Sequence, residues 1–391
     1  MKRIRIGFFL FTFIVMMGFF FIPSVSAERE REFNPNNFST YGLGLKESNW
    51  NESVPEYKPF ILYQTKKEGN TLTYPNLLPD QVDLRPYFPE VRNQGKFGTC
   101  VPFAMTALRE YYIARDGGAR GSEITYLSPS YMYYPNGPKD GMYIESALQI
   151  LKREGVPPET ERIYDINPDN IEQFKQSVTT FQKQNASPYK ISSYQVIRQT
   201  NMINKIKQAL ANQEPVLVGI QVYPNFDATP SNGIVPPVIE KKSRGGHALV
   251  LVGYDETKEW FIVRNSWGTK FGDNGYAYIQ YQTLLDMTDS MGYVIKPIQK
   301  QYPPFGVHFS TTNLHQSQIK FAVSAKNATE YELYKNNHKI QTFISPFVTD
   351  IPLLSDQSSI YHIVAKNSIG TTRSYPLSVQ IPVLKKIKDA S

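Results

Sequence analysis

Cysteine and histidine are scarce in this sequence. Among 391 residues, Cys100 is the only cysteine, and His247 is the only histidine in the first 300 positions. A single cysteine excludes any disulfide within the chain, and therefore the disulfide-stapled class of small exported domains. Each of these two chemically specialised side chains occurs only once in a long stretch, so each can be assigned to one site.

The sequence also lacks a strong excess of one charge and a second long apolar run. The formal net charge of +7 includes Lys2, Arg3 and Arg5, which leaves about +4 on the rest of the chain. This balance gives no reason to expect nucleic acid binding, although polyanions of a cell wall would attract such a chain weakly. After the N-terminal region, no segment reaches the length of a transmembrane helix.

The N-terminal region has the three parts of a secretory signal. Three basic residues precede an uncharged run over residues 6–22, and Val25-Ser26-Ala27 follows as a small-residue cleavage site. We therefore predict a signal peptide over residues 1–27 and a secreted protein with no stable membrane span after cleavage. An uncleaved anchor is the alternative.

Cys100 lies where a helix is expected to begin. Gly95 and Gly98 form a turn before it, and an apolar-periodic run rich in helix-forming residues continues to about Arg115, followed by glycine stops. Pro102 falls in the first turn, where proline is tolerated. A helix N-terminus favours a thiolate over a thiol. Gln94 could direct its side-chain amide at a developing oxyanion. A lone cysteine is more often a small buried apolar residue.

His247 and Asn265 can complete a thiol-based site. Gly245 and Gly246 precede His247 and allow a peptide backbone to approach, and Asn265 follows the next predicted strand. The Asn265 amide oxygen could accept a hydrogen bond from one imidazole nitrogen and leave the other facing the thiol. Trp267 could shield that bond from water. A thiolate nucleophile needs such a base, and the base needs an orienting partner.

These motifs together resemble those of the papain-like cysteine peptidases. Cys100 to His247 spans 147 residues, within the roughly 130–150 typical of that family. Asn265 lies further on than that interval, so a modest insertion is expected. The resemblance implies catalytic roles for Cys100, His247, Asn265 and Gln94, and it needs no metal and no cofactor. The substrate-binding positions that it implies are Asp140, Gly141, Met142, Tyr143, Gly219, Gly245, Gly246, Ala248 and Trp267.

The same resemblance suggests how the cleft treats a peptide. Asp140 and Gly141 would pair with an extended backbone, while small residues such as Gly219 and Ala248 would leave a roomy, largely apolar pocket for the second residue before the cut. Counting from Gly292, the resemblance puts Lys296 at the floor of that pocket, where it could admit an acidic side chain. Otherwise Lys296 is a solvated surface residue.

Two departures from the family pattern are informative. Phe97 stands where a second cysteine usually precedes the nucleophile, and Val101 stands where tryptophan usually follows it. Neither change removes a catalytic group. Since an exported eukaryotic enzyme of this kind would carry several disulfides, the single cysteine favours a bacterial, Gram-positive source.

The pattern predicts an α+β domain with a helical lobe and a β lobe, followed by an all-β domain. Helical periodicity covers residues 143–154 and 201–213, and β-rich runs begin at Val216. Polar residues 28–78 are predicted to be a pro-segment, a strap or a tether. The predicted domains are a peptidase domain over 79–300 and a β-sandwich over 301–384 that resembles fibronectin type III or other immunoglobulin-like modules, with a basic tail over 385–391.

Three functions are compatible with these features. The first is a secreted cysteine endopeptidase acting on protein or peptide substrates through a thioester intermediate. The second is a cell-wall or surface transpeptidase or amidase with the same triad, and the third is a non-catalytic binding protein. The C-terminal module would bind a cell surface, a polymer or the peptidase domain itself; its histidines lack metal-site spacing.

Overall fold

The structure is a computed structural model that describes residues 41–47, 54–58, 66–68, 71–73, 78–134, 141–288, 291–298, 302–315, 318–350 and 358–380. The predicted signal peptide and the basic tail lie outside the described residues. Among those residues, no helix combines the length and apolar character needed to cross a bilayer.

The first half of the domain is mainly helical. The long central helix is α1, Cys100–Gly117, with Gly118 in the left-handed conformation at its C-terminus (φ 72°). The other helices are α2 (Pro129–Tyr133), α3 (Ile144–Arg153), α4 (Thr180–Ala186), α5 (Met202–Ala211), α6 (Pro224–Asp227) and α7 (Tyr281–Met287). Short 3-10 turns occupy Arg85–Tyr87, Gly121–Glu123, Glu159–Glu161, Ile171–Phe174 and Ser187–Tyr189. Apolar residues along almost the whole of α1 are buried, so this helix forms the centre of the domain core.

A seven-stranded sheet forms the second lobe. Its strands are β3 (Gln81–Asp83), β4 (Ile191–Ile197), β5 (Val216–Gln221), β6 (Gly246–Asp255), β7 (Trp260–Arg264), β8 (Tyr276–Gln280) and β9 (Gly292–Pro297). They pair antiparallel in the order β4-β9-β5-β6-β7-β8, and β3 pairs with β6. The near-continuous apolar strands β5 and β6 lie in the middle of this order, as their burial requires.

The C-terminal residues form two further small sheets. The strands are β10 (Phe305–His315), β11 (Gln318–Lys326), β12 (Glu330–Lys335), β13 (His338–Phe343), β14 (Phe347–Asp350), β15 (Ser358–Lys366), β16 (Thr371–Arg373) and β17 (Leu377–Gln380). One sheet is β10-β11-β14, and the other joins β13, β12, β15, β16 and β17. Phe321, Leu333 and Tyr361 belong to a separate apolar core enclosed by these strands, which we call the β module. This confirms the fold class predicted from the sequence.

The β module packs against the helical lobe. Tyr302, which precedes β10, belongs to the peptidase core, where its ring centroid lies 5.1 Å from the buried Arg109 guanidinium, and its carbonyl accepts a hydrogen bond from Asn367 of the module at 3.0 Å. The Tyr375 hydroxyl donates to Glu159 Oε2 at 3.4 Å, and Lys326 pairs with Glu123 at 3.3 Å. Of the three targets considered for the module, the structure shows contact with the peptidase domain.

Three stretches of the polar N-terminal segment are described. A short hairpin is formed by β1 (Lys66–Glu68) and β2 (Thr71–Thr73). Residues 54–58 lie along β4, where the Tyr57 amide donates to the Val196 carbonyl at 2.7 Å and the Tyr57 ring is buried. Residues 41–47 contact the cleft between the two lobes, as described below.

Candidate active site

Cys100 is the first residue of α1, and its side chain is completely buried. The backbone amides of Ala248, Gly44, Val101 and Cys100 itself lie around the sulfur and favour its negatively charged form. The free N–H groups of a helix N-terminus stabilise a negative charge placed there. Because one of these amides belongs to β6 and another to the N-terminal segment, the sulfur lies where three parts of the chain meet.

His247 and Asn265 are brought together by the pairing of neighbouring strands. His247 lies near the start of β6, and Asn265 immediately follows β7. The His247 Nε2 to Asn265 Oδ1 distance is 2.8 Å, which is a hydrogen bond. The Trp267 ring lies against the imidazole, with the ring centroids 4.9 Å apart, and covers this bond. His247 Nδ1 is buried and makes no hydrogen bond among the described residues, so this nitrogen is free to accept a proton.

Burial holds both reactive groups in their neutral forms. It raises the pKa of the Cys100 thiol to about 11, opposed by the backbone N–H groups around the sulfur. It lowers the pKa of His247 to about 4, opposed by the bond to Asn265 and reinforced by the charge of Arg244. In this closed arrangement the thiol and the imidazole are therefore both uncharged at neutral pH.

The side-chain amide of Gln94 is held in one orientation. Ser266 Oγ donates to Gln94 Oε1 at 2.6 Å, so the amide nitrogen faces the opposite way. Gln94 Nε2 donates to the Phe97 and Gly42 carbonyl oxygens, both at 3.0 Å. The Gln94 amide nitrogen is therefore a fixed donor that already bonds the carbonyl of an extended peptide. A donor held in this way is what stabilisation of an oxyanion requires.

The peptide that lies in this cleft is the chain's own segment 41–47. The Leu45 amide donates to the Gly246 carbonyl at 3.1 Å, which forms an antiparallel bridge with one wall. The Met142 amide donates to the Gly44 carbonyl at 2.7 Å, and Leu45 forms a parallel bridge with Met142 on the other wall. Residues 41–47 thus bind as an extended strand between the two lobes.

Two glycines let this segment enter the narrow part of the cleft. A Cβ added to Gly44 would lie 2.0 Å from the Gly98 carbonyl oxygen, and one added to Gly42 would lie 2.1 Å from the Phe97 carbonyl oxygen. The opposing walls are equally tight, because a Cβ on Gly141 would lie 2.3 Å from the Gly44 carbonyl oxygen. No side chain fits between these backbones without displacement of the segment.

At the other end of the segment, Tyr41 is held by two contacts. Its ring stacks on Trp267 with centroids 5.2 Å apart and planes 7° apart. Its carbonyl accepts a hydrogen bond from Arg244 Nη1 at 3.0 Å. Arg244 is itself fixed by two bonds to the Asp227 carboxylate, at 2.7 and 2.9 Å.

Most of the substrate-binding positions expected from the resemblance lie around the segment. Met142, Gly245 and Gly246 contact it directly, the Lys46 ammonium lies over the Tyr143 ring at 5.6 Å, and Gly219 pairs with Ala248 across β5 and β6. Asp140 lies outside the described residues. Lys296 forms an ion pair with Glu214 and lies over the Tyr57 ring, so it is neither at a pocket floor nor simply solvated.

Several residues of the site were not identified from the sequence. Tyr41, Gly42 and Gly44 lie in a region read only as polar and turn-rich, and Arg244, Asp227 and Ser266 were not singled out. The signal that could have found the segment is Gly42-Leu43-Gly44-Leu45, where two glycines alternate with leucines in a polar stretch. Asp227 and Arg244 pair across 17 residues of loop, and no sequence pattern indicates such a pair.

The structure has two lobes, a thiol at the start of a helix, and an imidazole–amide pair carried by two neighbouring strands. This combination is that of the thiol proteases. Residues 78–295, more than half of the chain, match the family model "Papain family cysteine protease", and the chain belongs to that family. It is 27% identical over 237 residues to a cysteine protease of Blomia tropicalis, and 26% identical over 250 residues to a cathepsin L-like proteinase of Fasciola hepatica. These matches cover 56% and 61% of this chain.

The chain spans 66% of the length of the Blomia protein, just under two-thirds, and 73% of the Fasciola protein. Among solved structures it is similar to xylellain, a cysteine protease from Xylella fastidiosa, with 26% identity and a TM-score of 0.57. That likeness covers 66% of this chain and 97% of xylellain. The comparison supports the two-lobed fold derived above.

Proposed function

We propose that the protein is a secreted cysteine endopeptidase that the segment 41–47 keeps latent. The observation that carries the proposal is the arrangement of Cys100 at the start of α1, facing the lobe that holds the His247–Asn265 hydrogen bond. A thiol, a base and an orienting amide are the groups that nucleophilic acyl transfer needs. Family membership supports a peptide bond as the substrate.

The reaction follows from the position of each group. His247 accepts the thiol proton, and the Cys100 sulfur attacks the peptide carbonyl carbon. The C–N bond then breaks as His247 returns the proton to the leaving amine, which leaves an acyl thioester on Cys100. Water, deprotonated by His247, attacks the thioester, and the thiolate is released with the carboxylic acid product. Asn265 keeps the imidazole oriented throughout.

The oxyanion of the tetrahedral intermediate is stabilised by two donors. One is the Gln94 side-chain amide, whose orientation Ser266 fixes. The other is the backbone N–H of Cys100 at the start of α1. In the latent chain the Gln94 amide donates to the Gly42 carbonyl, so the segment already occupies this donor.

Segment 41–47 blocks the cleft and is not itself a good substrate. It runs from Trp267, on the leaving-group side, towards Met142, which lines the expected pocket for residues before the cut. A productive substrate would run the other way. The part of the segment beside the Cys100 sulfur is the Gly44 backbone amide, which favours the thiolate. The segment therefore fills the site without offering a bond for attack.

Latency is consistent with export and with the predicted order of domains. We assign residues 1–27 to a signal peptide, 28–78 to a pro-segment, 79–300 to the peptidase domain and 301–384 to the β module. The module is held against the helical lobe by the contacts of Tyr375 with Glu159 and of Lys326 with Glu123. Its role in this proposal is to support the peptidase domain. Attachment to a Gram-positive cell surface is a further property that this module could provide.

Displacement of the segment in the intact chain tests the proposal. Gly44→Ala places a methyl group against the Gly98 backbone, so the segment should leave the cleft without any cut in the chain. We expect full-length Gly44→Ala to hydrolyse peptide amides and to react with a thiol-directed epoxide at least tenfold faster than the wild-type chain. Mass spectrometry should locate the label on Cys100.

Glu47→Ala is the matched control, because Glu47 belongs to the same segment but is exposed to solvent. It should remain as latent as the wild type. Adding Cys100→Ala to the Gly44→Ala chain should abolish both hydrolysis and labelling. Full hydrolysis by that double variant would exclude Cys100 as the nucleophile, and a Gly44→Ala chain no more active than Glu47→Ala would exclude latency through this segment.

A further inference from the structure

Arg244 lies beside Trp267, on the leaving-group side of the cleft. Its Asp227 partner leaves one guanidinium nitrogen, Nη1, to bond a peptide in the cleft. Its Nε and Nη2 atoms bond to the two oxygens of Asp227, at 2.9 and 2.7 Å, and Nη1 is directed at the Tyr41 carbonyl. The Arg244 backbone is fixed as well, since its N–H donates to the Val222 carbonyl at 2.8 Å. A guanidinium held by two bonds presents its remaining donor at a defined place.

The same guanidinium forms one side of an aromatic site. The guanidinium carbon lies 5.7 Å from the centre of the Trp267 ring. The Tyr41 ring stacks on the same indole ring, with the centroids 5.2 Å apart. Phe226 and Phe271 pack edge-on or tilted around Trp267 and fix its plane. One residue of a bound peptide is thus recognised twice, through an aromatic side chain and through its own carbonyl oxygen.

We propose that Arg244 is a specificity-determining residue for substrates with an aromatic residue on the leaving-group side of the cut. The inference rests on the proposed peptidase function and adds a substrate class to it. Tyr41 shows which chemical groups the site accepts. An extended substrate that runs in the opposite direction can still direct a backbone carbonyl at Arg244, and it places a ring on Trp267 when the residue at that position is aromatic.

The catalytic cycle allows this recognition to be separated from the chemistry. All substrates with the same acyl part form the same thioester, so residues after the cut affect only the acylation step. We would compare five substrates with one acyl part. One is a coumarin amide, which has no residue after the cut, and the other four are peptides with tyrosine or alanine at the first or at the second position after the cut. The enzyme is the full-length Gly44→Ala chain, or the wild type after limited proteolysis of its N-terminal segment.

The tyrosine peptide should have a kcat/KM about tenfold above that of the alanine peptide. The ratio of kcat/KM for the tyrosine peptide to kcat/KM for the coumarin amide should fall about tenfold in Arg244→Ala. Arg244→Lys should restore only part of it, since an ammonium cannot bond both Asp227 oxygens and the peptide carbonyl in this planar geometry. Arg153→Ala, which removes an exposed arginine of α3, is the control and should leave the ratio unchanged.

A second measurement uses added amines that compete with water for the thioester. The amine nitrogen bonds to the acyl carbon as the C–S bond breaks, and Cys100 is released. Tyrosine amide should capture several times more acyl group than alanine amide, and Arg244→Ala should remove that advantage. A loss of folding or of general activity would lower all products together and would leave this ratio intact.

The outcomes are distinguishable. A chain that hydrolyses no amide in either form overturns the proposed function, and this inference falls with it. An active enzyme with equal rates for tyrosine and alanine peptides, or with an unchanged ratio in Arg244→Ala, overturns the inference alone. In that case the contacts of Arg244 and Trp267 with Tyr41 only hold the segment 41–47 in place.

Discussion

At the scale of single residues, the site depends on one orientation of one amide. Ser266 donates to Gln94 Oε1, and the Gln94 amide nitrogen donates to the Phe97 and Gly42 carbonyls, so these three bonds fix the orientation of the amide. Gln94 is completely buried, so no solvent competes for its donors. A preorganised donor in a dry site stabilises developing charge far better than one in water.

Gln94→Ala should lower kcat of the activated enzyme about a hundredfold with little change in KM, because a lost oxyanion donor typically costs on the order of 3 kcal/mol. Steady-state kinetics on a peptide amide measures this. Alkylation of the thiol by a small reagent serves as the control, since attack on an alkyl halide develops no oxyanion. Parallel losses in alkylation and turnover would mean that Gln94 only supports the turn before α1.

His247 and Asn265 should differ in the size of their effects. His247→Ala should abolish turnover because it removes the proposed base, whereas Asn265→Ala should leave a measurable fraction, since Asn265 orients the ring and transfers no proton. Kinetics and circular dichroism of both variants give the comparison. Complete loss in both, with an altered spectrum, would indicate structural roles.

At the scale of elements, the sequence predicted the catalytic framework well. The helix that starts at Cys100, the strand Trp260–Arg264 and the position of Asn265 after it agree with the structure. Glycine stops, a first-turn proline and dense β-branched runs are local signals, so they can be read without tertiary information. α3 and α5 are each one or two residues shorter than predicted at their ends.

Strands whose pairing partners are distant in sequence were missed. β4 and β9 pair with each other across about a hundred residues, and their mixed polar and apolar composition carries no strong local pattern. β10, β14 and β16 of the module were not predicted either, although β10 and β16 pair with their sequence neighbours β11 and β15, so distance does not account for those two. Segment 41–47 could not be predicted either, because its conformation is set by the walls of the cleft.

The free energy of unfolding of the protein should fall in acid. The pKa of His247 is lowered by burial to about 4, below its ordinary value of roughly 6.5. Between these values the unfolded chain binds a proton that the native chain does not, so stability should fall as the pH falls through this window, by on the order of 3 kcal/mol at its lower end.

Urea unfolding of Cys100→Ala at pH 7 and pH 5 measures this effect, since the variant cannot cut itself. A Cys100→Ala/His247→Ala chain should show a smaller loss across the same interval. Carboxylates with lowered pKa, such as Glu256, titrate mostly below pH 4.5 and contribute little there. Equal losses in the two chains would assign the acid sensitivity to other groups.

At the scale of the whole molecule, a buried charge network connects the β module with the cleft. The Arg92 guanidinium bonds Glu110 Oε1 at 2.7 Å and Glu159 Oε2 at 2.8 Å, and Tyr375 of the module reaches the same Glu159 oxygen. The Arg92 carbonyl accepts from the Gly268 amide at 3.1 Å, next to Trp267. The network thus holds the loop that carries Gln94.

Arg92→Met should destabilise the protein by roughly 3–5 kcal/mol, because it leaves two buried carboxylates without their cation. Tyr375→Phe removes one hydrogen bond and should cost about 1 kcal/mol. Denaturant unfolding measures both. Lys175→Ala, which breaks an exposed ion pair with Glu172, is the control and should cost less than about 0.5 kcal/mol. A near-neutral Arg92→Met would show that the network does not support the helical lobe.

The complete burial of the only thiol has a consequence for the lifetime of the protein. An exposed, activated thiolate is oxidised by peroxide to a sulfenic acid, and a neighbouring cysteine can rescue it by forming a disulfide. This chain has no second cysteine for such a rescue. While the N-terminal segment covers Cys100, neither peroxide nor metal ions reach the sulfur. Under the proposed latency, the segment therefore also protects the thiol from oxidation, and the sulfur becomes open to oxidants only when the segment leaves the cleft.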